Sequence, residues 1–271
     1  LEDFGGEALK ERISRQRYST AEFLDVAIGA CEALAQVHLA NIIHKDVSPG
    51  NLLVVPSSGA VKLIDFGISS RLPRLSPTLR SPEALEGTLP YIAPEQTGRM
   101  NRSLDYRADF YSLGATFFEM LTGQPPFPID DAAEIVYSHL ARYPQDVCEL
   151  VPELLPMIGR IIAKLLEKNA EDRYQGAWGI RADLEHCRED WRRQGRIELF
   201  ELASVDVPHR FQLAERLYGR HKEIELLLQT FAAGRGRRQM VLVGGYSGIG
   251  KSALVREFCR PVTRVGGSLI A

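Results

Sequence analysis

Two short stretches constrain this chain of 271 residues more than anything else in it: His44-Lys45-Asp46-Val47-Ser48-Pro49-Gly50-Asn51 and Asp65-Phe66-Gly67. Between them run Leu52–Val55 and Val61–Ile64, two short apolar segments separated by Pro56-Ser57-Ser58-Gly59, a pattern that predicts a β-hairpin. Asp46 is a carboxylate able to accept a proton. Asn51 puts an amide oxygen five positions on, and Asp65 adds a second carboxylate after the apolar runs. Magnesium takes hard oxygen ligands, which Asn51 and Asp65 can supply. Asp46 can hold a hydroxyl in line with the γ-phosphate of a nucleotide. Together these residues make a phosphoryl-transfer set.

The two stretches, followed in order by Ala93-Pro94-Glu95, resemble the catalytic loop, DFG segment and APE segment of protein kinases. HKDVSPGN stands for HRDxxxxN, and DFG is intact. The resemblance implies that Asp46 is the catalytic base, that Asn51 and Asp65 hold Mg2+ on bound ATP, and that His44 and Phe66 pack in the core. One position departs. Most Ser/Thr kinases have Lys two residues after the catalytic Asp; here it is Ser48, whose hydroxyl can donate a hydrogen bond but brings no charge, which weakens transition-state stabilisation.

The same resemblance assigns roles by position. Leu1–Glu7 becomes the hinge between lobes, with the backbone of Glu2–Phe4 facing adenine and Glu7 reaching the ribose; a generic turn is the other reading of that stretch. Leu53 becomes the floor under adenine. The small lobe, with its Gly-rich loop and strand Lys, would precede residue 1, and the chain starts on Leu rather than Met. The sequence therefore reads as a piece of a longer protein that does not phosphorylate anything alone.

Composition narrows the partners. A formal net charge of −2 gives no overall field for nucleic acid or membrane. The Arg clusters near 192–196 and 235–238 read as a solvated face or linker. Cys31, Cys148, Cys187 and Cys259 are scattered without CxxC spacing, which argues against zinc or a disulfide framework and for a reducing cytoplasm. No signal-peptide core or long apolar run is present, so no membrane span is expected.

Along the chain, Ser19-Thr20-Ala21-Glu22 is a capping box, and Phe23, Val26, Ala27, Ala30, Cys31, Leu34 and Val37 follow helical spacing up to Asn41. Residues 68–92 occupy the place of an activation segment. Ser76, Thr78 and Ser81 are its candidate phosphorylation sites, or hydroxyls in an ordinary loop. Lys45 is a cation able to meet a phosphate, without the bidentate geometry of Arg. By resemblance, Thr88 is the substrate-loop Thr that touches the catalytic Asp and favours Ser/Thr acceptors. The same resemblance implies that Asp109 accepts hydrogen bonds from the catalytic-loop backbone, a simple N-terminal helix carboxylate being the other reading, and that Glu95–Arg173 forms a buried salt bridge. Phe110–Leu121 is apolar nearly all round, which predicts a buried helix. Helices are predicted over Ala132–Tyr143, Leu154–Lys168 and Gly176–Gln194, and a linker over Gly195–Leu213.

A second phosphate motif follows. The strand-like run Met240–Val243 precedes Gly245-Tyr246-Ser247-Gly248-Ile249-Gly250-Lys251-Ser252, then the helical SALVREF, which is the strand–GxxxxGKS–helix context of a P-loop. Gly245, Gly248 and Gly250 let backbone N–H groups wrap phosphates, Lys251 reaches the β- and γ-phosphates, and Ser252 ligates magnesium. Leu217-Tyr218-Gly219-Arg220 and Glu223 resemble the lead-in of AAA-type signalling ATPases. No Walker B acid follows before Ala271, so hydrolysis by this piece is not expected.

The expected fold is α+β: a mostly helical protein-kinase large lobe without its small lobe (1–195), a linker (196–213), and an incomplete α/β P-loop NTPase domain (214–271). This order of motifs looks like large bacterial hybrid signalling proteins that join a Ser/Thr kinase, an AAA-type ATPase and histidine-kinase modules. The function implied is ATP-dependent phosphorylation of protein Ser/Thr hydroxyls. The rival is a pseudokinase scaffold coupled to a nucleotide-driven oligomerisation switch, for which Ser48 speaks. A third reading, an ATPase with an unrelated helical domain, requires the kinase motifs to be accidental. Partners implied are ATP, a protein substrate, the small lobe and the downstream modules.

Overall fold

The computed structural model describes residues 5–71, 87–98, 104–207, 219–234 and 240–246, together with 251, 254, 255 and 258. The chain divides into two compact units, Leu1–His209 and Arg210–Ala271.

The first unit is mostly helical. Strand β1 (Glu7–Ala8) leads directly into α1 (Leu9–Arg15), and α2 (Thr20–Leu39) follows. The capping box forms as its residues dictate: Ser19 Oγ accepts from Glu22 N, and Glu22 Oε2 accepts from Ser19 N at 3.0 Å. A cap of this kind is worth about 1 kcal/mol. Beyond α2 come β2 (Ile42–Ile43), β3 (Leu52–Val54), β4 (Val61–Leu63) and β5 (Ser70–Arg71). The hairpin forms with register Leu52↔Leu63 and Val54↔Val61, and β1 adds to its other edge through Glu7↔Val54 and Ala8↔Leu53. A separate two-stranded ladder pairs β2 with β5.

The core sits among α2, α3 (Arg107–Thr122), α6 (Pro156–Leu165) and α7 (Ala177–Gln194). As the all-round apolar pattern requires, α3 is buried from Arg107 to Phe118. Gly114 allows it to lie close to α6, since a Cβ there would fall 2.7 Å from Leu165 Cβ. Helix α4 (Ala132–Ala141) stops two residues before the predicted end. Helix α6 is shorter than Leu154–Lys168, because Pro156 takes its first turn. A short helix not expected from periodicity, α5 (Val147–Leu150), forms where Asp146 accepts from Cys148 N at 2.8 Å. Four residues are too few to show a period.

In the second unit, α8 (His221–Ala233) starts beside the Arg220–Glu223 ion pair, and Phe231 meets Phe258 edge-on at 6.1 Å. Met240–Val243 is not a strand: Met240 and Leu242 are 94% and 91% exposed, and among the described residues nothing pairs with the run. A parallel strand is held by ladder bonds and by cover on both faces, and neither is present here. No helix of the described residues is long and apolar enough to cross a membrane. Among them, Cys31, Cys148 and Cys187 are free.

Candidate active site

The loop bearing Asp46 hangs between the two small ladders. It leaves β2, crosses residues 44–51 and enters β3. The β2–β5 pairing holds residues just after Asp65-Phe66-Gly67 beside Ile43, and the β3–β4 pairing holds residues just before them beside Leu52. Ile64 is fixed twice to the loop: its N–H donates to Asn51 O at 2.9 Å, and its carbonyl meets His44 Nε2 at 3.0 Å. Two stretches fourteen residues apart thus become one site.

Asp109, wholly buried on α3, anchors the loop from below. It accepts from Lys45 N at 2.7 Å, from His44 N at 2.9 Å and from His38 Nε2 at 2.8 Å. These bonds sustain a left-handed backbone at Lys45 (φ +69°), a conformation that costs a non-glycine residue roughly 1 kcal/mol or more. Gln96 adds a fourth tie, donating to Lys45 O at 2.8 Å while accepting from Ala93 N at 3.0 Å. The sequence reading missed Gln96. Its signal was a polar residue in the first turn after Pro94, where a side chain can reach back to a free N–H.

The carboxylate of Asp46 is loaded on both oxygens. Oδ1 accepts from Thr88 N at 2.8 Å and from Thr88 Oγ1 at 2.7 Å; Oδ2 accepts from Asn51 Nδ2 at 2.9 Å. Asn51 Nδ2 also donates to Asp46 O at 2.8 Å, which leaves the amide oxygen as its open acceptor. Gly87, at φ +111°, brings Thr88 in: a Cβ there would fall 3.0 Å from Lys45 O. Asp65 is also left-handed (φ +61°), and its Oδ1 accepts from Gly67 N at 3.1 Å in a tight turn. The structure therefore joins Asp46, Asn51 and Thr88 directly and seats Asp65 against the same loop.

One expectation changes. Phe66 is not in the core: it is 43% exposed, and one side of its ring lies edge-on against buried His44 at 4.8 Å. The reversal at Asp65 turns the ring outward. Ser48 is 4% exposed and serves the turn, its carbonyl accepting from Asn51 N at 3.0 Å. Glu7 is paired with Arg15. Leu53 lies in the middle strand between Ala8 and Lys62. Lys251 Nζ donates to Gly245 O at 2.8 Å and Tyr246 O at 2.7 Å, folding back on the start of its own loop. Glu2, Phe4, Ser76, Thr78, Ser81, Gly248, Gly250 and Ser252 lie outside the described residues.

Behind the site, Arg173 donates to both oxygens of Glu95, at 2.6 and 2.9 Å, and to the carbonyls of Glu167, Lys168 and Arg107. Tyr91 hydrogen-bonds the carboxylate of Glu119 on α3, and burial pushes both groups up. Lys168 lies under the rings of Tyr111, Phe127 and Tyr143, and burial together with Arg173 pushes its amine down to about 7.

Residues 1–186 match the protein kinase domain family. The chain belongs to the protein kinase family. Its kinase domain is followed by an AAA ATPase domain, matched over residues 216–269. The chain is 35% identical over 191 residues to hybrid signal transduction histidine kinase G of Dictyostelium discoideum, covering 63% of this chain and 6% of that one. It is 35% identical over 188 residues to a probable serine/threonine-protein kinase of Streptomyces coelicolor, covering 69% of this chain and 28% of that one. It is 37% identical over 161 residues to the serine/threonine-protein kinase PknB of Mycobacterium tuberculosis, covering 59% of this chain and 25% of that one. This chain thus spans no more than 28% of the length of these relatives. Kinase and AAA ATPase domains use ATP with a divalent metal.

Proposed function

We propose that this chain carries the large lobe of a serine/threonine protein kinase within a cytoplasmic signalling protein that also holds a P-loop ATPase module. One observation carries the reading: a single carboxylate, Asp46, is gripped by Asn51 on one oxygen and by the Thr88 backbone and hydroxyl on the other. That grip holds the carboxylate in one orientation, from which it would meet a substrate hydroxyl. Asp46 would orient the acceptor hydroxyl and take its proton. ATP would be the phosphoryl donor, and magnesium held by Asn51 and Asp65 would neutralise charge on its phosphates.

The donor set fits that metal. Asn51 offers its amide oxygen and Asp65 a carboxylate, both hard ligands. In the second unit, Lys251 would exchange its two carbonyl partners for phosphate oxygens. On this reading a small lobe and further signalling modules belong to the rest of the protein.

Ser48 favours a second reading. It is buried and uncharged where the resemblance to Ser/Thr kinases implies a Lys, and a pseudokinase scaffold driven by nucleotide at the P-loop needs no such charge. Incubation of the full-length protein with labelled ATP and magnesium separates the two, beside Asp46→Asn and Lys251→Ala. Label on protein that disappears in Asp46→Asn supports catalysis at Asp46. Label unchanged in that variant removes the kinase reading, and label lost only in Lys251→Ala assigns the chemistry to the ATPase.

A further inference from the structure

The stretch after α7, read from sequence as the start of a linker, is built into the first unit. Ile197 is buried, and Phe200, Leu202 and Ala203 pack against the core. Phe200 stacks on His186 of α7 at 4.2 Å, the rings 20° from parallel. Two buried carboxylates of α7 receive its backbone: Asp190 Oδ2 accepts from Glu198 N at 3.3 Å, and Asp183 Oδ2 accepts from Ala203 N at 2.8 Å. The same Asp183 oxygen accepts from Tyr174 OH at 2.6 Å.

The stretch returns a carboxylate of its own. Helix α7 starts at Ala177, and its N-cap, Gly176, has no side chain to cap it. Asp206, thirty residues on, reaches the residue before that N-cap and accepts from Gln175 N at 2.5 Å. The first turn of α7 has room for it because residue 179 is glycine: a Cβ there would fall 2.6 Å from Asp206 Cγ. Burial pushes the Asp206 carboxyl up, against the pull of the Gln175 and Gly176 N–H groups.

The residue so gripped is a junction. Gln175 Nε2 donates to the carbonyls of Ala170, Glu171 and Arg173; its Oε1 accepts from Arg107 Nη1 at 2.8 Å, and its carbonyl accepts from Tyr106 OH at 2.9 Å. Two residues earlier lies Arg173, which holds Glu95, and one residue after Glu95 lies Gln96, which holds the loop of Asp46.

We propose that residues 197–207 form a strap whose docking at Tyr174–Gly179 holds the Glu95–Arg173 pair in place, so that release of the strap loosens the segment that braces the catalytic loop. The strap ends three residues before the second unit begins at Arg210. Docked and released strap are the two states such coupling requires. The inference concerns stability within the lobe and stands whether or not Asp46 transfers phosphate.

Amide hydrogen exchange on the full-length protein tests it, with Asp206→Ala and Ala203→Pro. The second variant changes only the strap: Ala203 has φ +61°, which proline forbids, and proline lacks the N–H that Asp183 receives. In both variants exchange is expected to rise roughly tenfold or more in 197–207 and also in 93–97 and 170–176. Faster exchange confined to 197–207 would overturn the proposal and leave the strap a passive tail. Unprotected exchange of 197–207 in the unaltered protein would overturn it equally.

Discussion

Thr88 reaches Asp46 twice at one oxygen, with its backbone N–H at 2.8 Å and its hydroxyl at 2.7 Å. The two donors fix that oxygen from the substrate-loop side, while Asn51 fixes the other from within the catalytic loop. Removing the hydroxyl alone leaves the N–H bond and the fold. Thr88→Val is therefore expected to lower kcat for protein phosphorylation by the full-length protein about tenfold, the value of one hydrogen bond to a charged group. Thr88→Ser should retain most of the rate. Steady-state assay of the two variants side by side checks this.

Asp109 answers three donors with two oxygens. In Asp109→Asn one of those oxygens becomes an NH2 group that faces a backbone N–H in a dry site. A loss of about 3 kcal/mol in unfolding free energy is expected, read as a lower urea midpoint with unchanged slope. An unaltered midpoint would show that the loop does not depend on this anchor.

The Glu95–Arg173 pair differs from an isolated buried ion pair. Removing one partner of such a pair costs about 3–5 kcal/mol, and replacing both by apolar residues is often harmless. Here Arg173 also serves three carbonyls. Glu95→Leu with Arg173→Met is therefore expected to remain destabilised to nearly the level of Arg173→Met alone. Thermal denaturation of the two single variants and the double completes the cycle.

His139 makes stability depend on pH. Burial, with Lys168 adding, pushes its imidazole down to about 4, and its Nδ1 bonds Tyr111 OH at 2.9 Å. The unfolded chain binds its proton near pH 6.5. Between these values the unfolded state holds a proton that the folded state refuses, so stability falls as pH drops through that window. The full effect is roughly 3 kcal/mol. Urea midpoints measured at pH 7 and pH 4.5 should differ less in His139→Phe than in the unaltered protein.

Much of the candidate site is legible in the linear order of residues, for a physical reason. Asp46, Asn51 and Asp65 belong to turns whose geometry is local, and the hairpin between them is announced by two apolar runs and a Pro-Ser-Ser-Gly turn. Ser19 and Glu22 cap a helix with contacts three residues apart, and α3 shows its burial by lacking a polar face. The partnership of Asp109 with the catalytic loop and of Glu95 with Arg173 came only through resemblance, since nothing local links residues more than sixty apart.

What the tertiary structure alone decided lies where a side chain's neighbours come from distant chain. Resemblance implied a core Phe66, yet its ring is largely exposed, following the left-handed turn at Asp65. Met240–Val243 reads as a strand, but a strand exists only with partners, and the described residues provide none. Residues 197–207 carry no periodicity, so they read as linker. Their order comes from Asp183 and Asp190 of α7 and from the space left by Gly179. The sequence by itself determined which groups can do chemistry and which short segments can form; burial and long-range hydrogen bonds, which depend on the packed chain, decided how those groups are held.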